Sequence, residues 1–303
     1  MLSSSLQSQF DSLLPGSSTE AGATRRTALK LALGAGYAAA AGPTMAQTAI
    51  TTSSEGLTTG QEIYDVAGST VPFYYAQPYG KTGLPVVLVV QEIFGVHAYI
   101  ADTCRRFAKA GYLAIAPELY ARQGDPSTYT DIGKLITDIV SKVPDEQVMD
   151  DLDGALQWAA DNGGDTQRVG ITGFCWGGRI TWLYAAHNPA VKAGVAWYGR
   201  LVGDASELTP KHPVDLAGAL KAPVLGLYGG KDSGIPLASV EQMKKALAAE
   251  AARGNRAAKE SEFVVYPEAG HAFHADYRAS YLKGPAEDGF KRALAWFKAR
   301  GLA

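Results

Sequence analysis

The feature that most constrains the fold of this chain is a glycine-rich turn between a predicted strand and a predicted helix. Residues 168–172 have the composition of a short buried strand, and residues 179–187 that of a helix. Between them, residues 173–178 are Gly-Phe-Cys-Trp-Gly-Gly, the nucleophile-elbow pattern with cysteine where serine is usual. The glycines allow close packing around a strained Cys175, and the helix N-terminus favours its thiolate. The alternative is a small buried cysteine in a structural turn.

From residue 60 onward, predicted strands alternate with predicted helices. The strands are 62–66, 71–75, 85–90, 112–116, 168–172, 193–198, 224–228 and 263–266, and the helices are 100–110, 131–143, 145–162, 179–187, 237–252 and 286–298. The first two strands are expected to form a hairpin at the sheet edge, and the later apolar runs are typical of buried parallel strands. This order predicts an α/β fold with a mostly parallel central sheet flanked by helices on both faces, in one domain over residues 60–303.

Composition excludes few function classes but argues against two. The 303 residues are 47% hydrophobic and 19% charged, with a formal net charge of −2. This balance is ordinary for a soluble globular protein and gives no reason to expect a nucleic-acid partner. No apolar run in the mature region approaches the roughly 18 residues of a membrane span, so we expect no stable membrane insertion of the mature chain.

The N-terminal part of the chain predicts an export signal. Arg25 and Arg26 precede a weakly apolar Ala/Gly/Leu run with small residues near its end at Ala46. This arrangement over residues 1–46 resembles a twin-arginine signal, which implies export machinery as a partner of the precursor and a periplasmic or secreted product. Residues 47–59 are expected to form a flexible segment before the domain. A disordered basic tail is the alternative.

Two later strands end in residues that can complete a catalytic triad. Asp232 closes the Gly-Gly-Lys-Asp turn after strand 224–228, and His271 follows strand 263–266. In such sheets, functional residues lie at the carboxyl ends of strands, and nucleophile–acid–histidine is the chain order of the α/β-hydrolase triad. His271 would take the thiol proton and later protonate the leaving group, while Asp232 orients the imidazole. Each residue alone could be an ordinary loop residue.

The other histidines and the second cysteine are alternative candidates for the catalytic roles. His187 and His212 do not lie at the carboxyl end of a strand, whereas His97 and His274 remain candidates for lining the site. No zinc-type spacing and no phosphate-binding glycine motif is present, so no metal and no cofactor is expected. Cys104 is the only other cysteine, and two cysteines do not make a disulfide framework.

Four ordered motifs carry a resemblance to a known family. They are Gln-Glu-Ile-Phe-Gly-Val at 91–96, Ala-Pro-Glu-Leu-Tyr-Ala-Arg-Gln at 116–123, the cysteine elbow, and Gly-His-Ala-Phe at 270–273. In these motifs the chain resembles the dienelactone hydrolase family of α/β-hydrolases over nearly the whole mature region. The resemblance implies hydrolysis of a small ester or lactone through an acyl-thioester on the cysteine, without a cofactor.

The resemblance also implies roles for residues outside the triad. Glu92 would hold the cysteine proton in the resting state, because a carboxylate in an enclosed pocket has a raised proton affinity until a cation approaches. Arg122 would pair with a substrate carboxylate. The N–H groups of Ile93 and Trp176 would form the oxyanion hole. Tyr198, at the end of the strand after the elbow helix, is a weaker candidate for lining the pocket, with core packing as the alternative.

One departure from the family pattern bears on the substrate. Dienelactone-cleaving members carry a second substrate-binding arginine four residues after the catalytic histidine, and this chain has Ala275 there, with Arg278 nearby. The expected substrate is therefore a small anionic lactone or ester that need not be dienelactone. The alternatives are a broad carboxylesterase or thioesterase on the same scaffold, or a catalytically silent hydrolase-fold binding protein.

Overall fold

The fold is built on one eight-stranded sheet. The computed structural model describes residues 49–303, and the strand order across the sheet is β1-β2-β4-β3-β5-β6-β7-β8. The strands are β1 (Leu57–Val66), β2 (Ser69–Pro78), β3 (Leu84–Val90), β4 (Leu113–Pro117), β5 (Gly164–Phe174), β6 (Val191–Trp197), β7 (Val224–Gly229) and β8 (Glu262–Tyr266).

Helices connect the parallel strands. They are α1 (Ala98–Lys109), α2 (Ile132–Asp138), α3 (Asp145–Asp161), α4 (Trp176–His187), α5 (Leu237–Ala252), α6 (Arg256–Glu260) and α7 (Lys283–Ala299). Short 3₁₀ turns occupy Pro126–Thr128, Val140–Lys142 and Pro213–Ala219.

The sheet has the predicted mixed topology. β1 and β2 form an antiparallel edge hairpin, and β2 pairs antiparallel with β4. All pairings from β4 through β8 are parallel. Every residue of β3 is buried, as expected for a strand covered on both faces. Because these parallel strands run in one direction, the loops that carry the predicted site residues all leave the same edge of the sheet, and the predicted α/β architecture is confirmed.

Two helix predictions needed correction. The predicted helix over 131–143 is interrupted: α2 ends at Asp138, and a separate 3₁₀ turn follows at Val140–Lys142. Pro144 has an extended backbone before α3, and a proline disfavours helical geometry in the residue before it. The helix therefore ends earlier than predicted. Helix α6 was not predicted, because five residues are too few for a periodic pattern. Its one local signal is Asn255, whose side chain accepts a hydrogen bond from the Ala258 N–H.

The segment before the domain is not free where the structure describes it. Thr52 donates to the carboxylate of Asp102 through both its N–H and its hydroxyl, and Arg105 donates to the Thr52 carbonyl. β1 begins at Leu57, within the range predicted to be flexible. Within the segment 47–59, for which the prediction is flexibility, the structure shows residue 52 bonded to Asp102 and residues 57–59 paired with β2. The predicted export signal over residues 1–46 lies outside the described residues.

Within residues 49–303, none of the helices combines the length and apolar character that a membrane crossing requires.

Candidate active site

The predicted elbow is present and strained. Cys175 has φ 57° and ψ −114°, a conformation that non-glycine residues rarely adopt, and it stands immediately before α4. A Cβ at Gly173 would lie 2.1 Å from the Gly177 carbonyl oxygen, and one at Gly177 would lie 2.5 Å from the Gln91 carbonyl oxygen. The Cys175 N–H donates to the Trp197 carbonyl at 3.0 Å. The turn therefore needs glycine on both sides, and its first helical turn packs against the loop after β3.

The structure brings Asp232 and His271 together as predicted. His271 Nδ1 lies 2.7 Å from Asp232 Oδ2, and both residues are buried. The other oxygen of Asp232 accepts from the N–H groups of Gly234 at 2.9 Å and Ile235 at 3.1 Å. These bonds fix the carboxylate, which in turn fixes the imidazole so that Nε2 is directed away from Asp232.

His271 is electrostatically coupled to Cys175. Its Nε2 makes no hydrogen bond of regular geometry within the described residues, yet the sulfur is near enough to interact with the ring. Burial lowers the pKa of His271, but the charge of a Cys175 thiolate and the Asp232 carboxylate outweigh burial and raise the pKa to about 10. A negative charge on Cys175 would therefore hold the His271 imidazole in its protonated form.

Glu92 lies buried among hydrogen-bond donors. Its side chain is buried, Tyr277 donates to Oε2 at 2.6 Å, and His97 Nε2 lies 3.5 Å from the same oxygen. Burial raises the pKa of Glu92, but the interaction with His97 opposes it. Arg278 and Tyr277 add to that opposition, so the pKa of Glu92 lies below its ordinary value. The donors and the Arg278 charge around the carboxylate favour its ionised form, so the predicted role of Glu92 as a proton holder stays a prediction.

The two predicted oxyanion donors lie in neighbouring loops. Trp176 is the first residue of α4, where N–H groups have no intrahelical acceptor. Ile93 follows β3 in the loop whose Gln91 carbonyl meets the elbow at Gly177. Among the described residues, no backbone carbonyl accepts a hydrogen bond from the Ile93 N–H. Both donors are therefore placed at the carboxyl edge of the sheet beside Cys175.

Arg122 is not brought to the triad. Its guanidinium donates to Asp151 Oδ2 at 2.7 Å and to the Val66 carbonyl at 3.3 Å. It borders a small cavity at the start of α3 that also contains Glu146 and Asp150. These acidic neighbours occupy the guanidinium and disfavour an anionic ligand there, so carboxylate binding by Arg122 finds no support in its contacts.

Tyr198 lines the site. It is fully buried, has φ 38°, and its ring centre lies 5.1 Å from that of His271 in an edge-on arrangement. Burial raises the pKa of Tyr198 well above its usual value, and the charges of Glu92 and Cys175 raise it further. Tyr198 therefore packs in the core and at the same time borders the triad.

The two histidines that remained candidates differ in their surroundings, since only His97 contacts a predicted site residue. His97 contacts Glu92. The ring centre of His274 lies 4.3 Å from that of Trp197, and its Nδ1 lies 2.5 Å from the Tyr99 hydroxyl. Burial and the nearby Arg106 hold the pKa of His274 well below its usual value, so its ring is neutral.

Sequence reasoning missed two contributors to the site. Tyr277 is the hydrogen-bond donor to Glu92, and its only sequence signal is that it follows His271 closely. Arg200 follows the strand that ends beside the elbow, and its charge interacts with Cys175. Arg278, which lies near the position of the missing arginine, reaches the site: it lies over the Phe94 ring at 5.2 Å, and its charge acts on Glu92.

Within residues 49–303, no three His, Cys, Asp or Glu side chains are grouped as a metal site would require.

Comparisons with known proteins agree with the predicted family. A model of the dienelactone hydrolase family matches residues 71–301. A Methylorubrum extorquens protein named "Putative carboxymethylenebutenolidase" is 57% identical over 295 residues, covering 97% of this chain and 99% of the relative. An Escherichia coli protein of the same name is 56% identical over 267 residues, covering 88% and 96%. These matches confirm the predicted resemblance.

A solved structure agrees as well. The crystal structure of a "Putative Dienelactone Hydrolase" from Klebsiella pneumoniae superposes with a TM-score of 0.77 at 59% identity, covering 80% of this chain and 98% of that one.

Proposed function

The chain belongs to the dienelactone hydrolase family and is a hydrolase of ester or lactone bonds; we propose that Cys175 is its nucleophile, in a triad with His271 and Asp232. The observation that carries the proposal is the 2.7 Å bond between His271 and Asp232, beside a strained cysteine at the N-terminus of α4. The substrate class is a small ester or lactone.

The acylation step uses each group once. The Cys175 thiolate attacks the carbonyl carbon, and the carbonyl oxygen gains the negative charge, which the N–H groups of Ile93 and Trp176 stabilise. The carbon–oxygen bond to the leaving group then breaks, and the protonated His271 gives its Nε2 proton to the departing oxygen. In a lactone that oxygen remains attached to the acyl chain, so the ring opens on the enzyme as a thioester.

The deacylation step reverses these roles. Neutral His271 removes a proton from water, the resulting hydroxide attacks the thioester, and Cys175 leaves as a thiolate. Asp232 keeps the imidazole in the required orientation and stabilises its charged form in both steps. Glu92 is ionised in this scheme and takes no proton from Cys175, in keeping with its lowered pKa.

The two cysteines offer a matched test of the nucleophile. We expect Cys175→Ala to lose on the order of 10⁴-fold or more in kcat for p-nitrophenyl acetate and dienelactone. Cys104→Ala, at the other buried cysteine, should retain activity. Rapid quenching followed by intact-protein mass measurement should detect an acyl group on wild type and none on Cys175→Ala. Full hydrolytic activity in Cys175→Ala would contradict the proposal.

We further propose that the chain is exported through its paired arginines. The support is the sequence pattern of Arg25 and Arg26 before a mildly apolar run. Replacing both with lysine keeps the charge but removes the paired-arginine feature, so the precursor should accumulate in the cytoplasm on fractionation. Lys30→Gln, which lowers the charge of the same region, is the matched control and should leave export intact. Normal export of the double-lysine variant would refute this proposal.

A further inference from the structure

Two buried polar side chains beside the nucleophile have no part in the triad. Tyr120 and Gln91 are both fully buried. Within residues 49–303, neither the Tyr120 hydroxyl nor the Gln91 amide nitrogen makes a hydrogen bond of regular geometry. Most buried polar groups in native proteins are paired, so two such atoms next to one reactive residue call for an explanation.

Tyr120 lies against the residue that follows the nucleophile. Its ring centre is 5.0 Å from that of Trp176 in an edge-on arrangement. Burial raises the pKa of Tyr120 well above its usual value, and the charge of Cys175 raises it further. The phenol is therefore protonated throughout the working pH range and close enough to Cys175 to sense its charge. It can act only as a neutral hydroxyl.

Gln91 holds the hydroxyl from the other side. Its Oε1 accepts from the Leu119 N–H at 3.3 Å, which fixes the orientation of the amide. The amide also interacts with the Tyr120 hydroxyl, and this interaction lowers the pKa of the phenol. Gln91 stands two residues before Ile93, so the two side chains flank the two backbone N–H groups assigned to the oxyanion hole.

We propose that the Tyr120 hydroxyl donates a third hydrogen bond to the substrate oxygen that becomes negatively charged when Cys175 attacks. Gln91 acts through Tyr120 as a positioning residue, because an amide N–H directed at the phenol oxygen turns the hydroxyl proton toward the substrate. The proton stays on Tyr120 throughout, so no bond to it breaks. This inference rests on the proposed Cys175 chemistry and adds a catalytic side chain to it.

Removing the Tyr120 hydroxyl should affect stability and rate in different ways. A buried hydroxyl without a regular partner adds nothing to stability, so Tyr120→Phe should leave the urea midpoint of unfolding unchanged or higher. The same change should lower kcat for p-nitrophenyl acetate about 100-fold with KM little changed, as expected for the loss of one oxyanion donor. Both results together support the inference, since a merely structural tyrosine would not lose rate while keeping stability.

Tyr184→Phe is the matched control. Tyr184 is equally buried and lies in α4, eight residues after Trp176. Its hydroxyl, unlike that of Tyr120, donates a hydrogen bond to Asp153 at 2.7 Å. Removing that hydroxyl should lower the urea midpoint and leave kcat unchanged, the reverse of the result expected at Tyr120.

Alkylation by iodoacetamide separates the oxyanion role from an effect on the sulfur. This reaction consumes the Cys175 thiolate without forming an oxyanion, so Tyr120→Phe should alkylate at the wild-type rate across the pH range. As a single substitution, Gln91→Met should lower kcat. When it is added to Tyr120→Phe, it should not lower kcat any further. An alkylation rate that falls in parallel with kcat would overturn the inference.

The two proposals fail in different ways. A Tyr120→Phe variant with wild-type kcat, beside an inactive Cys175→Ala variant, overturns the inference alone. A fully active Cys175→Ala variant overturns the proposed function, and the inference falls with it.

Discussion

His271 has a raised pKa because two anionic partners outweigh its burial, and the charge of Cys175 is the largest single cause of the rise. Removing the sulfur should therefore lower the pKa of His271 from about 10 toward the ordinary 6.5. An NMR titration of the imidazole in Cys175→Ala measures this change directly. Cys104→Ala should leave the titration unaltered, and an unshifted His271 in Cys175→Ala would show that the pair is not coupled.

Glu92 depends on its donors in the same way. Tyr277 donates to this buried carboxylate at 2.6 Å, and hydrogen bonds to charged groups contribute about 1.5–3 kcal/mol. We expect Tyr277→Phe to lower the free energy of unfolding in urea by about that amount at pH 7 and to raise the pKa of Glu92. Tyr79→Phe, at an exposed tyrosine, is the control. Unchanged stability in Tyr277→Phe would mean that Glu92 is not ionised there.

At the level of elements, the elbow depends on backbone contact between β5 and α4. A Cβ at Gly173 would lie 2.1 Å from the Gly177 carbonyl, which no rotamer change can relieve. Gly173→Ala should cost more than about 3 kcal/mol of stability, at or above the usual range for overpacking, and displace Cys175. Chemical denaturation combined with alkylation of Cys175 tests both effects.

Gly133→Ala is the comparison for this substitution. Gly133 is exposed in the first turn of α2, and its added Cβ would meet only the Asp131 carboxylate, at 3.2 Å. The Asp131 carboxylate caps α2 by accepting from the Lys134 N–H at 3.1 Å, and it would have to shift by only a few tenths of an ångström. Because alanine also favours helices, we expect a change within about 1 kcal/mol. Similar stability losses at the two glycines would show that the elbow contact is not what matters.

The sequence was informative where the signal is local. Helix α5 spans Leu237–Ala252, as its periodicity predicted, and the triad residues followed from strand ends and chain order. It was uninformative where the partner is distant in sequence. The Asp151 that occupies Arg122 lies 29 residues further along the chain, and the Tyr277 that holds Glu92 lies 185 residues away. No local pattern encodes such pairings, so the motifs identified Glu92 and Arg122 as candidates without indicating the side chains that contact them.

At the scale of the whole molecule, the parallel strands bring distant loops together at one edge of the sheet, and the carboxyl of Glu118 connects two parts of the chain there. Glu118, directly after β4, accepts hydrogen bonds from the Val96 N–H at 3.2 Å and donates its own N–H to the Pro72 carbonyl. It thereby links the edge hairpin to the loop that carries Glu92 and Ile93. Burial raises the pKa of Glu118 to about 7 from an ordinary 4.5, so a proton is held there at mildly acidic pH.

This proton makes global stability depend on pH. The pKa of Glu118 is higher in the folded protein than in the unfolded chain. The contribution of this carboxyl to the free energy of unfolding is therefore fully present below pH 4.5 and is lost as pH rises through about 7. The loss amounts to about 3 kcal/mol by linkage. Glu118→Gln, which cannot ionise, should therefore gain stability relative to wild type between pH 4.5 and 8, as measured by urea unfolding at a series of pH values. Glu268→Gln, at an exposed carboxyl, is the control. A difference between wild type and Glu118→Gln that stays constant over this pH range would mean that the buried carboxyl does not titrate with folding, and the loop would then be held by an ionised glutamate.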